Sequence, residues 1–162
     1  MMSMLNDKPV RFSSCLLFTL LFSACGLRTG VFEKTVSFAG HEWPSSVKPE
    51  FTFTISDTAS LYNVFIVTRH SDAYSFNNLY VKATVREPGV PETKSAVYDL
   101  TLASNKAWIG TAMDDIYDAR VLIQPKTKFS HPGDYHFTLE QLMREDPLRN
   151  MLNVGLRVEK AQ

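Results

Sequence analysis

Alternation of apolar and polar residues recurs along most of this chain, and it constrains the fold more than any other feature. In "FTFTI", Phe51, Phe53 and Ile55 point to one side and two threonines point to the other. The same period of two recurs in "LYVKATVR", "AVYDLTL", "DYHFTLE" and "NVGLRVE". This is the period of a β-strand with one buried face. The pattern therefore predicts strands instead of helices.

Two further runs and the turn signals between them complete the predicted fold. "LYNVFIVTR" is apolar on both faces, as expected of a central strand, and "VFEKTVSF" is read as a first strand. Turns are indicated by "SDTAS", "HSDAYS", "EPGVPE", "ASNK" and "SHPGD". We expect an all-β domain over residues 31–162, an antiparallel β-sandwich of about eight strands, Ig-like or jelly-roll-like. A single small sheet closed on itself is the competing arrangement.

One segment near the C-terminus departs from this pattern. In "LEQLMRED", Leu139, Leu142 and Met143 share a helical face, and Pro147 would end the helix. The spacing predicts one short helical turn.

The N-terminal run "CLLFTLLFSACG" has the features of a secretory signal. Its apolar part is too short to span a bilayer, which takes about 20 residues. Lys8 and Arg11 precede it, and the small residues Ser23 and Ala24 follow it. This order of basic, apolar and small residues describes a signal peptide, so residues 1–24 are expected to be removed.

The end of this run, "LFSAC", resembles the lipobox of bacterial lipoproteins. The resemblance implies that Cys25 is acylated and becomes the first residue of the mature protein, with residues 25–30 as a lipidated tether. Phe22 departs from the lipobox, which most often has a leucine-like residue there. Cys15 would leave with the signal, so neither cysteine is expected to form a disulfide.

Charge and motifs exclude several classes of function. The chain has 17 basic and 17 acidic residues, so it offers no electrostatic footprint for nucleic acid. It contains no polybasic membrane patch either, and membrane attachment is expected only through the anchor. G-x-S-x-G, H-E-x-x-H, C-x-x-C and phosphate-binding glycine loops are all absent from the sequence. We expect a protein that is not an enzyme and that needs no cofactor or metal.

Two groups of polar residues are candidate sites. His131 and His136 flank the turn "HPGDY" and could share a metal, but no third ligand stands nearby in the sequence. Asp114, Asp115 and Asp118 could bind calcium or act in a hydrolase, although their spacing does not match an EF-hand loop. Surface positions and a solvated loop are the simpler interpretations.

The two tryptophans, Trp43 and Trp108, lie near predicted strand ends. An exposed aromatic ring on a β-sandwich can contact a partner protein or stack on a sugar, whereas packing at the edge of the core is the commoner role. We predict an interaction surface that includes Trp43, Trp108, Asp114 and Asp115. A glycan-binding module that also uses Tyr74 is the alternative.

Taken in order, several stretches resemble the gliding motility lipoprotein GldH family of Bacteroidota-type bacteria. They are the lipobox ending at Cys25, "FTFTISDT", "LYNVFIVTRHSDAYSFNNLYV", "WIGTAMDDIYDARVL", "HPGDYHFTLEQLMRED" and "LNVGLRVEK". Their order and spacing carry the resemblance, because each motif alone is a common β pattern.

The resemblance implies a lipid-anchored component of the cell-envelope machinery of gliding, which is linked to type IX secretion. It implies partners among the envelope proteins of that machinery and supplies no catalytic motif. After Cys25, "GLRTG" lacks the acidic run associated with export of such lipoproteins to the cell surface. We therefore expect an anchor in the outer membrane that faces the periplasm.

Overall fold

The computed structural model describes residues 30–105 and 107–162, and this part of the chain is built from β-strands. In chain order the strands are β1 (Gly30–Ser37), β2 (Glu42–Trp43), β3 (Glu50–Ile55), β4 (Tyr62–Ser71), β5 (Asn78–Arg86), β6 (Thr93–Thr101), β7 (Ala103–Ser104), β8 (Ala107–Trp108), β9 (Thr111–Met113), β10 (Ile116–Thr127), β11 (Gly133–Gln141), β12 (Leu148–Arg149) and β13 (Met151–Lys160). The predicted signal peptide, residues 1–24, and Cys25 lie outside the described residues.

The strands form two antiparallel sheets that pack as a sandwich, which confirms the predicted class. One sheet has the order β1-β13-β4-β10-β9 and the other has the order β3-β11-β5-β6. Two small ribbons, β2 with β12 and β7 with β8, lie beside them. The expectation of about eight strands matches only the strands of six residues or more, since β2, β7, β8, β9 and β12 are shorter.

The order of pairing identifies the kind of sandwich. Among the eight long strands the first pairs with the last, β1 with β13, and the second with the seventh, β3 with β11. The third pairs with the sixth, β4 with β10, and the two middle strands, β5 and β6, pair with each other. A long hairpin wound in this way is a jelly roll. The chain is thus jelly-roll-like, and the Ig-like option is not adopted.

The core lies between the two sheets and uses the predicted apolar faces. Phe51, Phe53 and Ile55 of β3 are all buried. Phe53 contacts Phe32 of β1 across the sandwich, with ring centroids 5.6 Å apart, and stacks beside Tyr135 of β11 at 5.8 Å. The apolar residues that alternate in the sequence are therefore the ones that form the packed core.

The predicted helical turn at "LEQLMRED" is wrong. Leu139 and Gln141 belong to β11, where they pair with Ala83 and Val81 of β5, and both are buried. The sheet register overrides the local helical spacing here, because pairing and burial outweigh a weak propensity. After β11 the chain turns, and the Gln141 side chain accepts a hydrogen bond from the Met143 backbone N–H at 2.8 Å.

Within the described ranges the one helical element is a 3₁₀ turn, Ala39–His41. No helix there has the length and apolar character needed to cross a membrane.

The strand directions give the sandwich two distinct ends. β1 starts at Gly30, which pairs with Glu159 near the end of β13, and β4 starts at the same end. We call this the proximal end. The other end, where β4 finishes at Ser71 and β10 begins at Ile116, is called the distal end.

Candidate functional site

Trp43 belongs to the core and is not part of a surface. Its side chain is fully buried and stacks on Phe38, with ring centroids 5.0 Å apart and ring planes 11° from parallel. Its indole Nε1 donates a hydrogen bond to the Val47 carbonyl oxygen at 2.8 Å. The prediction that Trp43 contributes to an interaction surface is wrong, because pairing of β2 with β12 carries this residue inward.

Trp108 occupies an intermediate position at the distal end. It is half-buried and meets the ring of His70 edge-on, with centroids 4.5 Å apart. Tyr117 and Tyr74 complete the group, at 5.9 Å and 6.2 Å from the Trp108 ring. We call these four residues the aromatic cluster. Contacts with the other three rings hold the Trp108 ring in its orientation.

His70 is the most buried polar member of the aromatic cluster. It lies on the inward face of β4 with no exposed surface. Its Nδ1 is 2.9 Å from the Ser71 carbonyl oxygen, and because a carbonyl only accepts, Nδ1 carries the proton. Its Nε2 has no hydrogen-bond partner in the described part of the chain. Burial lowers the pKa of His70, which favours the neutral ring.

Tyr74 is also buried, and its hydroxyl donates to the Asn78 carbonyl oxygen at 3.1 Å. Burial raises the pKa of this phenol, with a smaller contribution from the negative charge of Glu145. A sugar-stacking platform needs an exposed ring face. Tyr74 and Trp43 do not provide one, so the predicted glycan surface is wrong for both.

Asp114 and Asp115 lie where they were expected, exposed at the turn between β9 and β10. Asp114 adopts a left-handed backbone with φ of 53°, a conformation that aspartate tolerates in turns. The Asp115 carbonyl oxygen accepts a hydrogen bond from the Asp72 N–H at 2.7 Å. This bond joins the turn to the loop that follows β4, so both aspartates are held at the distal end near Trp108.

Two apolar side chains in the same segment were missed by sequence reasoning. Met113 is 75% exposed and Ile109 is 39% exposed. No local signal distinguishes them, because a single exposed apolar residue is common on any protein. Together with the predicted residues they form what we call the distal surface: Trp108, Ile109, Met113, Asp114 and Asp115.

Asp118 is separated from the other two aspartates. It lies on the outer face of the five-stranded sheet and accepts two hydrogen bonds from Arg69, both 2.9 Å long. This pair lines a cleft of about 390 Å³ together with Glu33 and Arg120. Asp114 and Asp115 are at the turn, so the three carboxylates do not converge as a hydrolytic or calcium site would require.

The two candidate histidines also have separate partners. His131 Nδ1 is 3.4 Å from Glu87, whereas His136 Nδ1 is 3.0 Å from the Thr52 hydroxyl. Across residues 30–105 and 107–162, no three His, Cys, Asp or Glu side chains are grouped closely enough to hold a metal ion.

Comparisons with known proteins agree on one family. The model of the GldH lipoprotein family matches residues 30–158. A protein of Christiangramia forsetii described as a gliding motility lipoprotein GldH homolog is 27% identical over 88% of this chain and 90% of its own length. The gliding motility lipoprotein GldH of Flavobacterium johnsoniae is 25% identical over 90% of this chain and 93% of its own.

Similarity to solved structures is weaker. The Cry4Aa toxin of Bacillus thuringiensis is 12% identical, with a TM-score of 0.39, over 80% of this chain and 21% of the toxin chain. That score is too low to indicate a common fold. The family match runs from the start of β1 to Val158, two residues before the end of β13. The matched regions cover 90% and 93% of the two curated relatives. The chain therefore belongs to the GldH lipoprotein family.

Proposed function

We propose that this protein is a lipid-anchored component of the gliding motility machinery in the cell envelope, linked to type IX secretion, and that it acts by binding other proteins without catalysis. Membership of the GldH lipoprotein family supports the anchor and the link to gliding. The separation of Asp114 and Asp115 from Asp118 supports the absence of hydrolysis.

The observation that carries the proposal is the position of the two ends of the sandwich. The tether leads into β1 at Gly30, on the proximal end, and Cys25 is five residues earlier. Five residues reach at most about 18 Å, so a lipid on Cys25 would hold the proximal end close to the membrane. The distal surface would then point away from the membrane, about 30 Å further out along strands of roughly ten residues.

Anchoring makes a modest binding surface effective. Confinement of two partners to one membrane raises their effective concentration, so a small interface suffices for association. The distal surface combines apolar side chains with two carboxylates on a firmly held turn. We propose the outer membrane, with the domain in the periplasm, as the site of action.

The anchor is tested by labelling cells with radioactive palmitate and separating membranes from soluble proteins. The wild type and Cys15→Ala, the matched control at the other cysteine, should incorporate label and remain in the membrane fraction. Cys25→Ala should lose both. Label and membrane retention in Cys25→Ala would contradict the proposal.

The distal surface is tested in a gliding host whose own family member is replaced by this chain. Met113→Glu and Asp115→Lys change exposed side chains there. Leu122→Lys is the control, since Leu122 is an exposed apolar residue on the outer face of the five-stranded sheet. The first two should reduce colony spreading at normal protein levels, and the third should not. Equal spreading of the three variants would mean that the partner does not bind at the distal surface.

A further inference from the structure

We propose that strand β6 is a docking strand, which takes up an extended segment of a partner protein by β-strand pairing while side chains of that segment enter the cleft between the two sheets. This inference rests on the proposed function, since it names how a partner would be held. It concerns a different surface from the distal one.

The first observation is the free edge of β6. β6 is the last strand of its sheet and pairs only with β5 in the described part of the chain. Its pairing runs from Thr93 to Thr101 without a register shift. Among residues 30–105 and 107–162, no loop makes a backbone hydrogen bond to the outer edge of β6. The outer edge is therefore a straight row of backbone groups about 30 Å long.

The other sheet edges are shorter than β6 or are interrupted, which limits strand pairing. β1 has a register shift after Gly30 and charged residues at Glu33 and Lys34. On the opposite side of that sheet, β9 pairs with only three residues of β10. The β10 strand itself has two register shifts and contains Pro125. β3 has six residues and β9 only three.

β6 lacks this protection. Its middle, Ser95–Tyr98, contains neither charge nor proline, and Val97 is 58% exposed on the outer face. The two charged residues of β6 lie toward its ends, where Lys94 bonds Glu87 and Asp99 bonds Asn78.

The second observation is the cleft next to this edge. Between β6 and β10 the sandwich is open, and a cleft of about 480 Å³ reaches down to the aromatic core. Ala96 and Tyr98 form one wall, Gln124 forms part of the other, and Phe129 and Tyr135 lie in the lining. The Gln124 amide donates to the Tyr98 hydroxyl at 3.2 Å, which links the two sheets at one end of the cleft.

The charges at the other end define the occupant. Lys94 and Lys128 line the cleft there against a single carboxylate, Glu87, which also contacts His131. An added strand places alternate side chains on the inward side, about 7 Å apart. The segment that fits has an apolar residue beside Ala96 and an acidic residue at the next inward position, beside Lys94.

A second copy of this chain fits less well. If β6 of another molecule paired with this edge, its inward-facing residues would be Ala96, Tyr98 and Leu100 of that copy. Leu100 is 1% exposed and Tyr98 is bonded to Gln124, so these side chains are already committed to their own sandwich. They could not fill the cleft of the neighbour, which favours a flexible segment of a different protein.

The test uses full-length lipoprotein in detergent and a fluorescent nine-residue peptide of alternating threonine and valine with one inward glutamate. We expect saturable binding by anisotropy, together with slower hydrogen exchange of β6 amides. Methylation of alternate peptide amides, which removes strand pairing, should weaken binding at least tenfold. Replacement of the glutamate by lysine should weaken it measurably.

Protein variants separate β6 from other surfaces. Val97→Lys places a charge at the edge, which disfavours strand pairing, and Ala96→Trp fills the cleft. Both positions are solvent-exposed, and near-ultraviolet circular dichroism checks that the variants are folded. Each should weaken peptide binding at least tenfold, whereas Leu122→Lys should leave it unchanged. Binding that survives amide methylation or both β6 variants would overturn the inference, as would the absence of any binding.

Two further outcomes are decisive. If analytical ultracentrifugation shows a dimer that Val97→Lys dissociates, then β6 pairs with a second copy of this chain. That result would overturn the assignment of a partner segment. In the gliding host, normal spreading of Val97→Lys and Ala96→Trp beside lost spreading of Cys25→Ala would refute β6 docking while the proposed function stands.

Discussion

Trp43 and Phe38 stack with ring centroids 5.0 Å apart beneath the distal end of the sandwich. The pair joins the small β2–β12 ribbon to the main core, because Trp43 pairs with Leu148 across that ribbon and both side chains are fully buried. The two tryptophans of this chain therefore have different roles, one inside the core and one at its surface.

Trp43→Ala should lower the free energy of unfolding by about 3–5 kcal/mol, the usual cost of removing a buried large aromatic side chain. Urea denaturation followed by circular dichroism measures it. Trp108→Ala, at the half-buried position, should cost less. A Trp43→Ala protein as stable as wild type would show that the β2–β12 ribbon does not depend on the stack.

Gly155 of β13 leaves no room for a side chain. A Cβ there would lie 2.5 Å from the Lys34 carbonyl oxygen and 2.6 Å from Thr35 Cγ2 of β1. Because a backbone oxygen cannot move aside alone, Gly155→Ala should destabilise the protein by about 1–3 kcal/mol.

Gly30 provides the matched control, since a Cβ there meets nothing within 4 Å. Gly30→Ala should change the urea midpoint little. Equal midpoints for both alanine variants would mean that β1 shifts freely against β13.

The buried ring of His70 should make stability depend on pH. Burial lowers its pKa in the folded state below the ordinary value of 6.5, so the unfolded chain binds a proton that the folded chain does not. The free energy of unfolding should therefore fall as pH drops below about 6.5 and continue to fall until the lowered pKa is reached, at no more than about 1.4 kcal/mol per pH unit for one proton.

Urea titrations between pH 7.5 and 4.5 measure this slope, and the window is set by the direction of the pKa shift of His70. His70→Phe keeps an aromatic ring in the cluster and removes the titration, so its slope should be smaller in the upper part of that range. An unchanged slope would assign the pH dependence to other groups.

The bidentate pair of Arg69 and Asp118 should contribute little to stability. Their side chains are 47% and 39% exposed, so water and salt screen the attraction. A double-mutant cycle with Arg69→Met and Asp118→Asn should give a coupling of about 0.5 kcal/mol that shrinks in 1 M salt. Asp118→Asn should also leave gliding unaffected; loss of gliding with normal stability would revive a catalytic role for this carboxylate.

Whether the sequence predicts a feature of this fold depends on how far apart along the chain the interacting residues lie. The inward faces of β3 and β13 follow from alternation alone, because burial of one sheet face imposes a period of two. Pairing of β1 with β13, which makes the fold a jelly roll, joins residues more than 100 positions apart and leaves no local pattern. The helical prediction at Leu139 failed for the same reason, since the partner in β5 decides its conformation.

The candidate site shows the same division. Exposure of Asp114 and Asp115 could be predicted, because adjacent aspartates between two strands favour a turn. The burial of Trp43 and of His70 could not, because each depends on the register of its strand against a distant neighbour. The free edge of β6 is likewise a property of the whole sheet order.

The pairing of β1 with β13 also determines how the domain would carry mechanical load. In the proposed arrangement a pull between the lipid and a partner on the distal surface runs parallel to the strands. The inter-strand bonds lie perpendicular to that direction, so the seven residue pairs from Gly30 to Ser37 would be strained together instead of opening one after another. Optical-trap pulling along this axis should show a higher rupture force than pulling that peels β1 from the edge. In this arrangement β1, which follows the lipidated tether, is loaded in shear, and this resistance to force suits a component of the gliding machinery.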